Sequence, residues 1–146
     1  MSFFRVSGQP NVQLLNGAAS TVLSAGGLVV LTGGALAKVA STGSMVSGIC
    51  LETRSTTDAD YATARGVLVD MLDPDSLVFC DNVTGTLTQA MEGQFLKLSS
   101  TAGVVADAGT ATDTPAAGLV LELIKYISAT SGYFKVNGLK HMRPAA

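Results

Sequence analysis

Tryptophan is absent from the 146 residues, histidine occurs once, cysteine twice, and aromatic residues make up only 5%. The single histidine, His141, lies in a C-terminal tail just before Pro144, so a His-based triad or a multi-histidine metal centre is excluded. Three Tyr, five Phe and no Trp disfavour an aromatic-rimmed ligand pocket. Charged residues are 14%, against roughly 25% in soluble domains, and the net charge is -2. The basic residues are scattered, so there is no electrostatic footprint for a nucleic acid. No apolar run reaches the roughly 18 residues that a membrane span needs. The start MSFFRVSGQP lacks the charged head and apolar core of a signal peptide, and folding in a cytoplasm is expected. Cys50 and Cys80 each sit in an apolar run rather than in CxxC spacing, which reads as two buried, reduced thiols.

What the chain does have is small and β-branched residues. It is 47% hydrophobic, carries 16 Gly, and is short enough for one domain with one substantial core. A surface so poor in charge is expected to be covered in part by partners or by copies of itself.

The segment Gly26 to Glu52 organises the reading. Apolar runs at Leu28–Leu31 and Val46–Leu51 flank a Gly33-Gly34 turn, a further apolar stretch and a Ser/Thr/Gly turn, giving strand, turn, strand, turn, strand. Gly93 to Glu122 has a similar layout, with Gly93 matched to Gly27 and Gly118-Leu-Val-Leu-Glu122 to Gly48-Ile-Cys-Leu-Glu52. A duplication, or two meanders sharing β-sheet grammar, both fit this weak likeness.

Residues 1–24 carry no sustained period and read as an irregular N-terminal arm with one extended piece at Val12–Leu15, leaving 25–146 as a single β-domain. The arm holds Phe3, Phe4, Val12, Leu14 and Leu15, which must either dock on a neighbour or fold back on the domain. Thr53–Arg65 is the most polar stretch and reads as an exposed loop, or at most one short turn of helix around Ala59–Ala64. Gly66–Leu72 and Ser76–Cys80 read as strands joined by Asp73-Pro74-Asp75, a turn in which Pro presets φ, forming either a hairpin or a corner between sheets. Leu87–Met91 is expected as a short strand, and Ala102–Ala117 as a flexible or edge-like segment. Leu119–Ile127 satisfies both a helical and an alternating pattern, and its alternation favours strand. Ser128–Gly132 reads as a hairpin loop, Tyr133–Val136 as a closing strand, and Asn137-Gly138 as a turn. The sum is an all-β fold, a compact barrel or sandwich of seven to nine short strands with an extended N-terminal arm.

No group of residues carries a reaction. Asp70, Asp73 and Asp75 are spaced like cation ligands, but Pro74 interrupts them and no Gly or Glu completes a calcium loop. Gly26-Gly27 and Gly33-Gly34 precede strands, whereas a phosphate-binding loop needs a helix. Asp58 and Asp60 share a Thr-rich loop and read as solvated acids. No catalytic residue, cofactor or metal site is expected, and an enzyme is disfavoured. Lys135, Lys140 and Arg143, beside His141, form a basic end that is able to pair with the acidic stretch Asp58–Asp81 of another copy.

Several segments resemble the head-decoration, or cement, proteins of tailed bacteriophages. They are the arm around Asn11–Asn16, Gly27-Leu-Val-Val-Leu-Thr-Gly33 with Ser47-Gly-Ile-Cys-Leu-Glu52, Gly66-Val-Leu-Val69, and Tyr133-Phe-Lys-Val-Asn-Gly138. The resemblance spans about residues 26–140 and is one of strand order rather than of an invariant motif. It implies a protein made in the host cytoplasm that binds the outside of an expanded capsid, commonly as a trimer, and bridges major capsid subunits. On that reading Phe3, Phe4, Val12, Leu14 and Leu15 are the capsid contacts, by adding a strand to an exposed sheet edge. A tail-tube or baseplate domain, or a small ligand-binding β-barrel, are the alternatives.

Overall fold

The structure is a computed structural model and describes residues 3–41, 43, 45–99, 103, 105–137 and 139. Its strands are β1 (Phe3–Ser7), β2 (Val12–Gly17), β3 (Leu28–Thr32), β4 (Ala35–Lys38), β5 (Gly48–Cys50), β6 (Arg65–Met71), β7 (Leu77–Cys80), β8 (Val83–Thr84), β9 (Phe95–Leu98), β10 (Ala106–Thr112), β11 (Leu121–Ser128) and β12 (Ser131–Val136). They form a seven-stranded sheet, β1-β7-β12-β11-β9-β10-β8, and a five-stranded sheet, β2-β6-β5-β3-β4. The fold is therefore all-β and sandwich-like, without a closed barrel. The smaller sheet curls until β2 comes alongside β4, where Asn16 Nδ2 donates to Gly34 O at 3.0 Å.

Residues 3–17 are not a free arm. β1 is an edge strand of the larger sheet and β2 an edge strand of the smaller one, paired with β7 and β6 respectively. Leu87–Met91 contains a 3-10 turn at Gln89–Met91 instead of a strand. The Ala/Gly/Thr-rich segment around 106–112 is a full strand, and Ala106 and Ala108 reach the core because methyl side chains fit where the opposing residues are large. Leu121–Ser128 is a strand, so alternation won over helical spacing. β6 and β7 lie in different sheets, so Asp73-Pro74-Asp75 turns a corner.

The two halves of the chain repeat one topology. The order β2-β6-β5-β3-β4 is matched by β7-β12-β11-β9-β10, all antiparallel. The hydrogen bonds match as well: Gly26 N–H donates to Cys50 O as Gly93 N–H donates to Leu123 O, and Cys50 N–H to Gly27 O as Leu123 N–H to Gln94 O. Gly26 and Gly93 both have φ above +80°, which a side chain would strain. Ladder register matches Leu28 with Phe95, an offset of 67, and Gly48 with Leu121, an offset of 73. The glycine anchors read from sequence are thus one and three residues out of place.

Each repeat has its own core at the same positions. Val29, Leu36, Cys50, Val67 and Val69 in the first correspond to Leu96, Ala106, Leu123, Gly132 and Phe134 in the second. Volumes compensate: Phe134 and Leu123 are larger than Val69 and Cys50, while Gly132 and Ala106 are smaller than Val67 and Leu36. The second core also takes in Phe3, Leu28, Ile49 and Leu72, which fuse the repeats into one body.

The two repeats are fastened where β1 crosses the corner. Arg5 shares the inward face of β1 with Phe3, and its guanidinium meets the Asp70 carboxylate through both Nε (2.9 Å) and Nη2 (2.7 Å). Nη1 donates to Ser76 Oγ at 2.7 Å and Nη2 also to Met71 O at 2.8 Å. Asp70 raises the Arg5 pKa, first through this hydrogen bonding and against the opposing effect of burial. Gly8, at φ +101°, lies against the pair, and a Cβ there would meet Arg5 Nη1 at 2.9 Å. Both side chains are nearly buried, so removing one partner strands the other. Asp70→Ala and Arg5→Ala are each expected to lower unfolding stability by about 3–5 kcal/mol in urea titration, whereas Asp75→Ala, in the exposed turn, changes it little.

Candidate interaction surface

Of the five contact residues expected from sequence, the structure turns Phe3 into the core, where it is fully buried and opposite Cys80. Leu15 is half-buried and packs against the first core. Phe4 (43% exposed), Val12 (52%) and Leu14 (66%) face solvent, and Val6 (44%), which the sequence reading did not single out, joins them. Strand alternation explains the split, because Phe3 and Arg5 point inward and Phe4 outward.

Two outward rows result. Phe4, Phe79 and Tyr133 stand directly opposite one another across β1, β7 and β12, with ring centroids 5.0 and 5.7 Å apart. On the smaller sheet Leu14 lies opposite Leu68, and Leu51 N–H donates to Leu68 O at 3.0 Å, so three exposed leucines cross the sheet. The rows are counterparts, since Leu14 and Leu68 occupy the places of Phe79 and Tyr133.

The residues that suggested chemistry have structural duties. Asp70 is committed to Arg5, and Asp73 Oδ1 accepts from Ser76 Oγ and Asp75 N–H within the corner. Asp58 Oδ2 accepts from Ser55 N–H at 3.0 Å, and Asp60 meets Arg65 at 2.8 Å. Gly33 and Gly34 make the two-residue turn between Thr32 and Ala35. Lys135 stands opposite Glu122 in the β11–β12 ladder. Lys140, His141 and Arg143 lie outside the described residues. Among the described residues no group of His, Cys, Asp and Glu is placed to hold a metal, and no helix is long and apolar enough to cross a membrane.

A shallow depression of about 750 Å³ lies at the β8–β10–β9 end, lined by Thr84, Lys97, Ser99, Asp107 and Thr110 among others. Its side chains are tied into the strand irregularity there: Thr110 Oγ donates to Asp107 O and accepts from Lys97 N–H, and Asp107 Oδ1 accepts from Gly109 N–H.

Arg54 is the residue that sequence reasoning misplaced most. It sits in the polar stretch expected to be exposed, yet it is 0% exposed. Nη1 donates to Gly17 O (2.6 Å) and Ala18 O (2.9 Å), and Nη2 to Tyr61 O (3.0 Å) and Thr63 O. It thereby pins the 53–64 loop and the end of β2 over the first core. Nothing in the local sequence signals this, because its partners are main-chain carbonyls, which any residue supplies.

No family model matches the sequence, and no curated protein matches it.

Cys50 and Cys80 are free and buried. Burial raises both thiol pKa values, that of Cys80 to about 11, so at neutral pH both stay protonated. Native protein at pH 8 is expected to leave a thiol reagent unreacted and to titrate two thiols once urea unfolds it. Rapid labelling before unfolding would contradict this burial.

Proposed function

We propose that the chain is a non-enzymatic structural part of a virion, a head-decoration protein that binds the outer surface of an expanded phage capsid. There it would bridge major capsid subunits as an oligomer. The observation that carries the reading is the concentration of exposed large apolar side chains on the two N-terminal edge strands: Phe4 and Val6 on β1, Val12 and Leu14 on β2. Such residues, displayed on a charge-poor surface, suit broad neutral contacts that symmetry multiplies into avidity. The polar lining of the depression at the β8–β10–β9 end, and the structural employment of the acids, support adhesion as the activity.

The reading is tested by co-sedimentation with expanded, decoration-free shells of the phage that carries the chain. Saturable binding to the shell exterior is expected. Phe4→Asp with Val6→Asp should weaken it by about tenfold or more while leaving the circular dichroism spectrum unchanged. Failure of the wild-type chain to bind intact shells would refute the proposal.

A further inference from the structure

The first repeat carries a segment that the second lacks. β11 and β12 are joined by the tight turn between Ser128 and Ser131, whereas their counterparts β5 and β6 are joined through a strap running from Thr53 to Ala64. Ladder pairing does not require the strap, as the second repeat shows. It nevertheless folds back on the body. Arg54 pairs both of its main-chain groups with Leu23, Tyr61 O accepts from Ser20 N–H at 2.7 Å, and the Tyr61 hydroxyl donates to Ser20 O at 2.9 Å. At this seam Ser20 has φ +55°, the one non-glycine among the described residues in the left-handed region. Such a conformation persists only where its surroundings impose it.

The Arg54 guanidinium lies at the centre of the seam. Gly17 O and Ala18 O meet Nη1 from the body, while Tyr61 O, Thr63 O and, at 3.4 Å, Asp60 O meet Nη2 from the strap. Five main-chain carbonyls thus converge on a side chain that is 0% exposed. Among the described residues no carboxylate forms an ion pair with it, so carbonyl dipoles balance the buried charge. Its Nε is buried without a hydrogen-bond partner. A guanidinium placed to satisfy itself would use that donor, so this one sits where the carbonyls need it. Without a cation between them, the converging oxygens of strap and body would repel one another.

We propose that these carbonyls form a cation site selective for a guanidinium, that Arg54 fills it as a built-in ligand, and that its occupancy holds the strap closed. A planar cation with N–H groups on two sides reaches both sets of carbonyls at once, which a compact ammonium or a spherical ion does not. The inference rests on this cage and is independent of capsid binding.

Hydrogen exchange of the full chain tests it. Wild type is compared with Arg54→Ala in guanidinium chloride up to about 100 mM, below the molar range in which that salt denatures. Without additive, the amides of residues 55–64 in Arg54→Ala should exchange about tenfold or more faster than in wild type. Guanidinium should slow them again, saturably, as a ligand of the closed state does. Equal potassium chloride should not, nor should equal urea, which has the planar shape without the charge. Wild type should not respond, because Arg54 already fills the site. If Arg54→Ala does not fold alone, the same three additives are compared for recovery of its native circular dichroism spectrum, and guanidinium alone should succeed. A variant strap as protected as that of wild type, no effect of guanidinium, or an equal effect of potassium or urea would each overturn the proposal.

Discussion

The bidentate contact between Arg5 and Asp70 is the constraint on which the arrangement of the two sheets depends. It joins the first strand of the chain to the last strand of the first repeat. A carboxylate on an apolar sheet face is tolerable only with a fixed cation, and a planar guanidinium supplies two parallel bonds from one direction. The same side chain donates to Ser76 and to Met71 O, so it also holds the corner through which the chain passes into the second repeat. Gly8 follows from that placement: the chain leaving β1 passes too close to the guanidinium for a side chain.

Once β1 is held there, Phe3 enters the second core and Phe4 ends the outward aromatic ladder. In the second repeat the outer strand β7 is paired with β1, whereas in the first β2 has only β4 alongside it, outside the hydrogen-bonded ladder. The two repeats solve one packing problem with different volumes, and the difference that matters for interaction lies in their edges rather than in their cores. Neutral rows lie at those edges, while Asp58, Asp70 and Asp73 are occupied within the fold.

The sequence made the class of fold legible because turn chemistry and alternation coincide in it. Asp73-Pro74-Asp75 and Gly33-Gly34 mark turns by mechanism, and Leu121 to Leu123 alternates before the strand's register shifts. The repeat was visible as a layout, although its glycine anchors slipped, since the insertion falls in loops of low complexity. Of the N-terminal strands, β2 was legible only as the extended piece Val12–Leu15, and β1 was not. β1 and β2 are short, separated by Gly8 and Pro10, and stabilised by β7 and β6, which lie far along the chain. The contact surface was half legible for the same reason: the apolar residues stood out, but their inward or outward direction depends on partners that local pattern does not reveal. Arg54 looked solvated because its ligands are carbonyls, and the strand at Ala106–Thr112 looked weak because its propensity is low and its ladder to β9 is irregular.

The central claim is that β1 and the Arg5–Asp70 contact make the two repeats one cooperative body. Differential scanning calorimetry of the full chain tests this most directly. The account predicts a single transition whose calorimetric and van't Hoff enthalpies agree. Two separated transitions, one for each repeat, would contradict it.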